Sequence, residues 1–144
     1  MTERPVKNMA ASIHQRLLNF AKERSRPFNE VLQYYAMERF LYRLAHSRHG
    51  EKFVLKGALM LGVWKAPVSR PTMDIDLLGH LDNSIETLTA VARDVCVEKG
   101  EPDGLTFDPD AVKANGSPKM PIMPASGYDC WECWATGHQI DKGF

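Results

Sequence analysis

The 144-residue chain has little of what several structural classes require. Its three cysteines, an odd number, do not make the paired framework of a disulfide-stapled secreted domain. Its longest apolar runs, such as Gly57 to Trp64, fall far short of the roughly 20 residues that span a bilayer. The opening MTERPVKNMA lacks the apolar stretch of a signal peptide. These absences predict a soluble, cytoplasmic protein with no membrane association. No internal repeat is visible, and no compositional bias points to a collagen-like or coiled-coil chain. Net charge is absent too, since 18 basic residues balance 18 acidic ones. What is present is ordinary globular material, 44% hydrophobic and 25% charged, enough to bury one core without staples.

The balanced charge is unevenly spread. Residues 1–56 hold 11 Lys and Arg against 5 Asp and Glu, whereas residues 57–144 hold 7 against 13. A basic half suits a nucleic acid or nucleotide partner, and it equally suits two solvated, arginine-rich helices. Periodicity predicts those helices. After a flexible arm over 1–11, Ser12 and Gln15 have capping-box spacing, and Ile13, Leu17, Phe20 and Ala21 recur at helical intervals up to Arg26-Pro27. A second helix is expected from about Phe28 to His46, with Arg39 and Arg43 one turn apart on a face that could meet phosphates. His46, Arg48 and His49 read as a polar helix end.

Phe53 to Leu55 reads as a short apolar run that passes through Gly57 into a helix ending near Trp64. Thr72 to Leu78 suits a strand, in which Asp74 and Asp76 point one way while Ile75 and Leu77 enter the core. Ser84 is positioned to cap a helix carrying Ile85, Leu88, Val91, Ala92 and Val95. Leu105–Phe107 and Ala111–Lys113 read as hairpin strands around Asp108-Pro109-Asp110. Beyond Asn115 the pattern changes. Pro118, Pro121 and Pro124 fall every third residue, and Cys130, Trp131, Cys133 and Trp134 crowd together. Cys130, Cys133 and His138 offer three potential zinc ligands without an evident fourth.

The strongest chemical signal is the pair of carboxylates in Asp74-Ile75-Asp76. On one face of a strand they repel each other unless a cation lies between them. Hard divalent ions such as Mg²⁺ take carboxylate oxygens and bridge to substrate phosphates. Upstream, Lys56 supplies a point charge, and Gly57 allows close backbone approach at the mouth of a helix. A plain turn before a helix would use the same two residues.

Together, Leu55-Lys56-Gly57-Ala58-Leu59-Met60-Leu61 and Arg70-Pro71-Thr72-Met73-Asp74-Ile75-Asp76-Leu77-Leu78-Gly79 resemble the AbiEii/AbiGii toxin family. These are minimal nucleotidyltransferases of the polymerase-beta-like superfamily, found in bacterial toxin–antitoxin and phage-defence systems. Glu38 to Leu44 and Asp103 to Pro109 resemble it as well, so the likeness covers about residues 12–114. It implies an α/β (α+β) fold, with two N-terminal helices leading into a small mixed-sheet nucleotidyltransferase core. The resemblance further implies that Asp74, Asp76 and Asp141 ligate two Mg²⁺ ions and carry catalysis. Lys56, Gly57, Ala58, Arg70 and Thr72 would bind the nucleotide, and Ala58 stands where the superfamily signature has glycine or serine. The implied reaction moves a nucleotide from an NTP to a hydroxyl of tRNA, another RNA or a protein, with a cognate antitoxin as partner.

The chain also departs from the family. Family members are longer and carry a helical C-terminal part, and residues 115–144 read as an aberrant, irregular, poorly ordered tail. Only Gln139 to Phe144 resembles the family's strand with the third carboxylate. A disrupted frame followed by truncation is the expected cause of both features. The expectation is that Asp141 is displaced and that the chain is weakly active or inactive. Two other functions stay open: a non-catalytic remnant that binds an antitoxin or nucleic acid, and kinase-like phosphoryl transfer using the same carboxylates.

Overall fold

A computed structural model of the chain describes residues 8–63, 74–82, 84–114, 118–119 and 122–124. Two helices lead. The first, α1 (Met9–Glu23), starts at Asn8, whose side chain accepts a hydrogen bond from the Ala11 amide at 3.0 Å. This corrects the expected start at Ser12. Asparagine caps as well as serine does, so the helix gains a turn and residues 8–11 are part of it rather than of an arm. The second, α2 (Phe28–His46), has the expected bounds, because Pro27 cannot continue α1 and is tolerated at a helix start.

A 3₁₀ turn over Gly50–Lys52 then delivers β1 (Phe53–Lys56), followed by Gly57 and α3 (Ala58–Val63). β2 (Asp76–Gly79) pairs antiparallel with β1, and α4 (Ile85–Val97) follows with Ser84 as its cap, as its sequence predicts. The β1–β2 register sets Phe53 opposite Gly79, Val54 opposite Leu78, Leu55 opposite Leu77 and Lys56 opposite Asp76.

The core lies between α2 and α4. Ala36, Phe40 and Leu44 from α2 meet Val91, Ala92, Val95 and Cys96 from α4, and Phe107 and Val112 close the cluster. Phe53, Ile75 and Leu77 pack their side of the β1–β2 ribbon against it. Burial drives the Cys96 thiol up to about 11, so it remains protonated and inert there.

The expected hairpin around Asp108-Pro109-Asp110 does not form. Pro109–Ala111 is instead a 3₁₀ turn, capped by the Asp108 carboxylate accepting from the Asp110 amide at 2.9 Å, and Arg93 donates to the Pro109 carbonyl. That turn redirects the chain instead of reversing it. β3 (Leu105–Phe107) therefore pairs with β6 (Ile122–Pro124), and β4 (Lys113–Ala114) pairs with β5 (Pro118–Lys119). Within the stretch expected to be irregular, these short ladders put Pro118 and Pro124 at strand ends, where a missing donor costs least. Cys130, Cys133 and His138 lie outside the described residues. Among the described residues no helix is long and apolar enough to cross a membrane.

Candidate functional site

The site is built on the outer face of the β1–β2 ribbon. Side chains alternate across a strand, so Val54 and Lys56 share one face of β1 while Phe53 and Leu55 take the other. Along the second segment the same alternation leaves Asp74, Asp76 and Leu78 exposed and half-buries Ile75 and Leu77. Both carboxylates are exposed, Asp76 within the strand and Asp74 ahead of it. The strand is shorter than expected, because it begins at Asp76 and leaves Asp74 two residues before it. The cause is on the partner strand. Asp76 pairs with Lys56, the last residue of β1, after which the chain turns at Gly57 and enters α3. β1 has no backbone left to pair with Asp74.

Gly57 makes the tightest contact of the site. Its φ is +77°, a left-handed conformation that glycine adopts at little cost. A Cβ built there would lie 2.1 Å from Oδ2 of Asp76 and 2.9 Å from its Cγ. The Asp76 carboxylate therefore rests against the bare α-carbon of Gly57. Sequence reasoning gave the glycine a role in phosphate approach; the structure gives it this second one. Lys56 stands directly across from Asp76 on the same exposed face, and no ion pair joins the two among the described residues.

Ala58 opens α3, next to Gly57. Arg70, Thr72 and Asp141 lie outside the described residues, so their expected roles have no geometry here. Among the described residues no group of three or more His, Cys, Asp or Glu could hold a metal ion. The donors that are in place nevertheless fit Mg²⁺, which is commonly held by one or two carboxylates together with substrate phosphates and water.

The two arginines expected to share a phosphate-facing surface do not. Arg43 turns inward, and its Nη2 donates to both oxygens of the Asp103 carboxylate at 3.0 and 2.9 Å and to the Leu105 carbonyl at 3.2 Å. Its guanidinium also lies 4.3 Å from the centre of the Phe107 ring. Arg39 stays nearer the surface, held between Tyr35 and Tyr42 and bonded to Glu38. A helix places residues four apart about 40° out of line, which is enough to separate an inward arginine from an outward one.

A second polar cluster went unread in the sequence because its members are 45 residues apart. Nε2 of the buried His49 lies 2.9 Å from Oδ2 of Asp94, which also accepts from Arg48. The hydrogen bond with His49, then that from Arg48, holds the Asp94 carboxyl below its ordinary value of 3.8. A depressed carboxylate stabilises the fold above its unfolded pKa and loses that contribution as pH falls through the folded value. Asp94→Asn is therefore expected to destabilise the chain near neutral pH, by no more than about 1 kcal/mol because the pair is partly solvated. The difference should shrink as pH falls below 3.8, which urea unfolding across pH would read. A deficit that stayed constant into acid would assign the loss to packing.

Comparison with known proteins gives one result. A family model described as nucleotidyl transferase AbiEii toxin, type IV toxin–antitoxin system, matches residues 39–134, two thirds of the chain. No curated protein and no solved structure matches. The match begins within α2, contains the whole β1–β2 ribbon with Lys56, Gly57, Asp74 and Asp76, and runs past residue 114 into the proline-rich stretch. With a match of this extent, the chain belongs to the AbiEii nucleotidyl transferase toxin family of type IV toxin–antitoxin systems.

Proposed function

We propose that the chain carries out Mg²⁺-dependent transfer of a nucleotide from an NTP to a hydroxyl of an RNA, with tRNA the first acceptor to test. The observation that carries this reading is the exposed face on which Lys56 stands opposite Asp76, with Gly57 beside the carboxylate and the exposed Asp74 two residues ahead. Asp74 and Asp76 would hold two Mg²⁺ ions, without a working third carboxylate from Asp141. When bound, the ions supply charge screening and polarisation of the phosphoryl oxygens.

Lys56 meets the triphosphate and neutralises part of its charge, while Ala58, Arg70 and Thr72 complete the nucleotide contacts. The acceptor oxygen bonds to the α-phosphorus as the bridging bond to the β-phosphate breaks. Pyrophosphate leaves, and the hydroxyl proton passes to a carboxylate or to water. Such chemistry depends mainly on positioning and charge stabilisation. The reading places the protein in the cytoplasm beside a cognate antitoxin, as the toxin of its pair.

The double substitution Asp74→Asn with Asp76→Asn tests the site. It is expected to abolish Mg²⁺-dependent NTP binding in a calorimetric titration, with circular dichroism confirming that the variant is folded. Unchanged NTP affinity in the double variant would place the phosphates elsewhere. Labelled NTP with Mg²⁺ and total tRNA then reads the transfer itself. Slow transfer that is indifferent to Asp141→Ala is the expected result. A robust rate that collapses in that variant would make Asp141 a working third ligand. No binding of any NTP by the wild-type chain would favour the non-catalytic alternative.

A further inference from the structure

The outer face of the β1–β2 ribbon carries a second cross-strand pair that the proposed chemistry does not use. Val54 and Leu78 stand opposite each other in the register, and both are large apolar residues left 51% and 49% exposed. They lie one same-face step from Lys56 and Asp76, about 7 Å along the strands. Along this face the order is therefore an apolar pair, then a cation facing a carboxylate, then the Gly57 turn.

We infer that Val54 and Leu78 form the platform for the nucleobase of the bound NTP, on the reading that Lys56 and the Asp74–Asp76 pair take its phosphates. The chemistry along the face follows the chemistry along a nucleotide. A planar, apolar-faced ring sits at one end and a string of negative charge at the other, and the face offers apolar surface and then a cation in the same order. The size of the patch also selects the ligand. One cross-strand pair can cover the face of an aromatic ring, whereas a stable protein partner needs about 1,000 Å² or more of buried surface. A flat contact between aliphatic side chains and a ring carries no hydrogen-bond readout, so the platform admits any of the four bases with modest preference.

The test separates the nucleoside from the phosphates. The full chain with Mg²⁺ is titrated by calorimetry with each NTP and, as the probe lacking a base, with inorganic tripolyphosphate. In the wild type each NTP is expected to bind about tenfold more tightly than tripolyphosphate. Val54→Thr with Leu78→Thr keeps β-compatible side chains on an exposed face and should remove about that tenfold advantage while leaving tripolyphosphate affinity unchanged. In the wild-type chain, the methyl resonances of Val54 and Leu78 should show ring-current shifts with NTP and none with tripolyphosphate. That readout holds even where the double variant folds poorly.

Equal affinity of the wild type for NTP and tripolyphosphate, or an NTP affinity untouched by the double substitution, would overturn the platform and leave the phosphate site standing. An unchanged NTP affinity accompanied by loss of self-association in sedimentation would assign the pair to a second copy and likewise overturn it. A wild-type chain that binds neither ligand would overturn the platform together with the reading on which it rests.

Discussion

Gly57→Ala is expected to weaken Mg²⁺-dependent NTP binding on the order of tenfold, the equivalent of about 1.4 kcal/mol. Two separate effects meet at this position. The first is backbone strain, since a φ of +77° costs a residue with a Cβ roughly 1–2 kcal/mol. The second is steric and specific, because the new methyl would sit 2.1 Å from the Asp76 carboxylate oxygen and must push it away. A double-mutant cycle in urea separates them. Asp76→Ala introduced into the Gly57→Ala background should recover the steric part of the stability loss and leave the backbone part, giving a measurable coupling between neighbours. Additive losses would mean that the carboxylate moves aside freely and that Gly57 serves only the turn. The cycle reads stability alone, so it stands whatever the ligand proves to be.

The largest loss of stability is expected from splitting the Arg43–Asp103 pair. Both side chains are more than nine-tenths buried, and the pair joins α2 to the turn that leads into β3. Asp103 also accepts from the Leu105 amide at 3.0 Å, and its carbonyl accepts from the Tyr35 hydroxyl at 2.8 Å. Burial first, and then the negative charge of Asp103, raises the Tyr35 phenol, which keeps it protonated and able to donate. Asp103→Ala strands the guanidinium in the interior, where Arg43 Nε and Nη1 already lack partners, and should cost about 3–5 kcal/mol. Arg43→Met with Asp103→Leu removes both charges and should restore most of that loss, because the desolvation cost disappears with them. Chemical unfolding of the three proteins decides it. A double variant no more stable than Asp103→Ala would show that the ion pair itself, rather than relief of a stranded charge, holds the turn.

The turn also depends on shape. Gly104 has a φ of +70°, and a Cβ there would lie 2.9 Å from the α-carbon of Ala10 in α1. The Asp103-Gly104 pair therefore ties both leading helices to the core, α2 through charge and α1 through close approach. Its dipeptide reads in the sequence as a turn. The burial of Asp103 does not, because an Asp-Gly turn is ordinarily a solvated one.

Local pattern alone determined the bounds of α2, the start of α4 and the alternation of the ribbon. The proline at 27 and the helical recurrence after it set the bounds of α2, and Ser84 ahead of an apolar period set the start of α4. Period-two alternation was sufficient to separate the exposed Asp74 and Asp76 from the half-buried Ile75 and Leu77, and the motif spacing around Lys56-Gly57 and the two aspartates carried the family. Tertiary structure alone decided the rest. Asp74 falls outside the ladder because its partner strand ends at Lys56, and Arg43 turns inward because Asp103, 60 residues away, waits there to pair with it. β3 and β4 take different partners because a 3₁₀ turn separates them, and Val54 and Leu78 are exposed together because the register sets them opposite each other. Periodicity and capping are short-range properties written in neighbouring residues. Register, burial and ion pairing depend on which distant segment arrives alongside, and no window of the sequence contains that information.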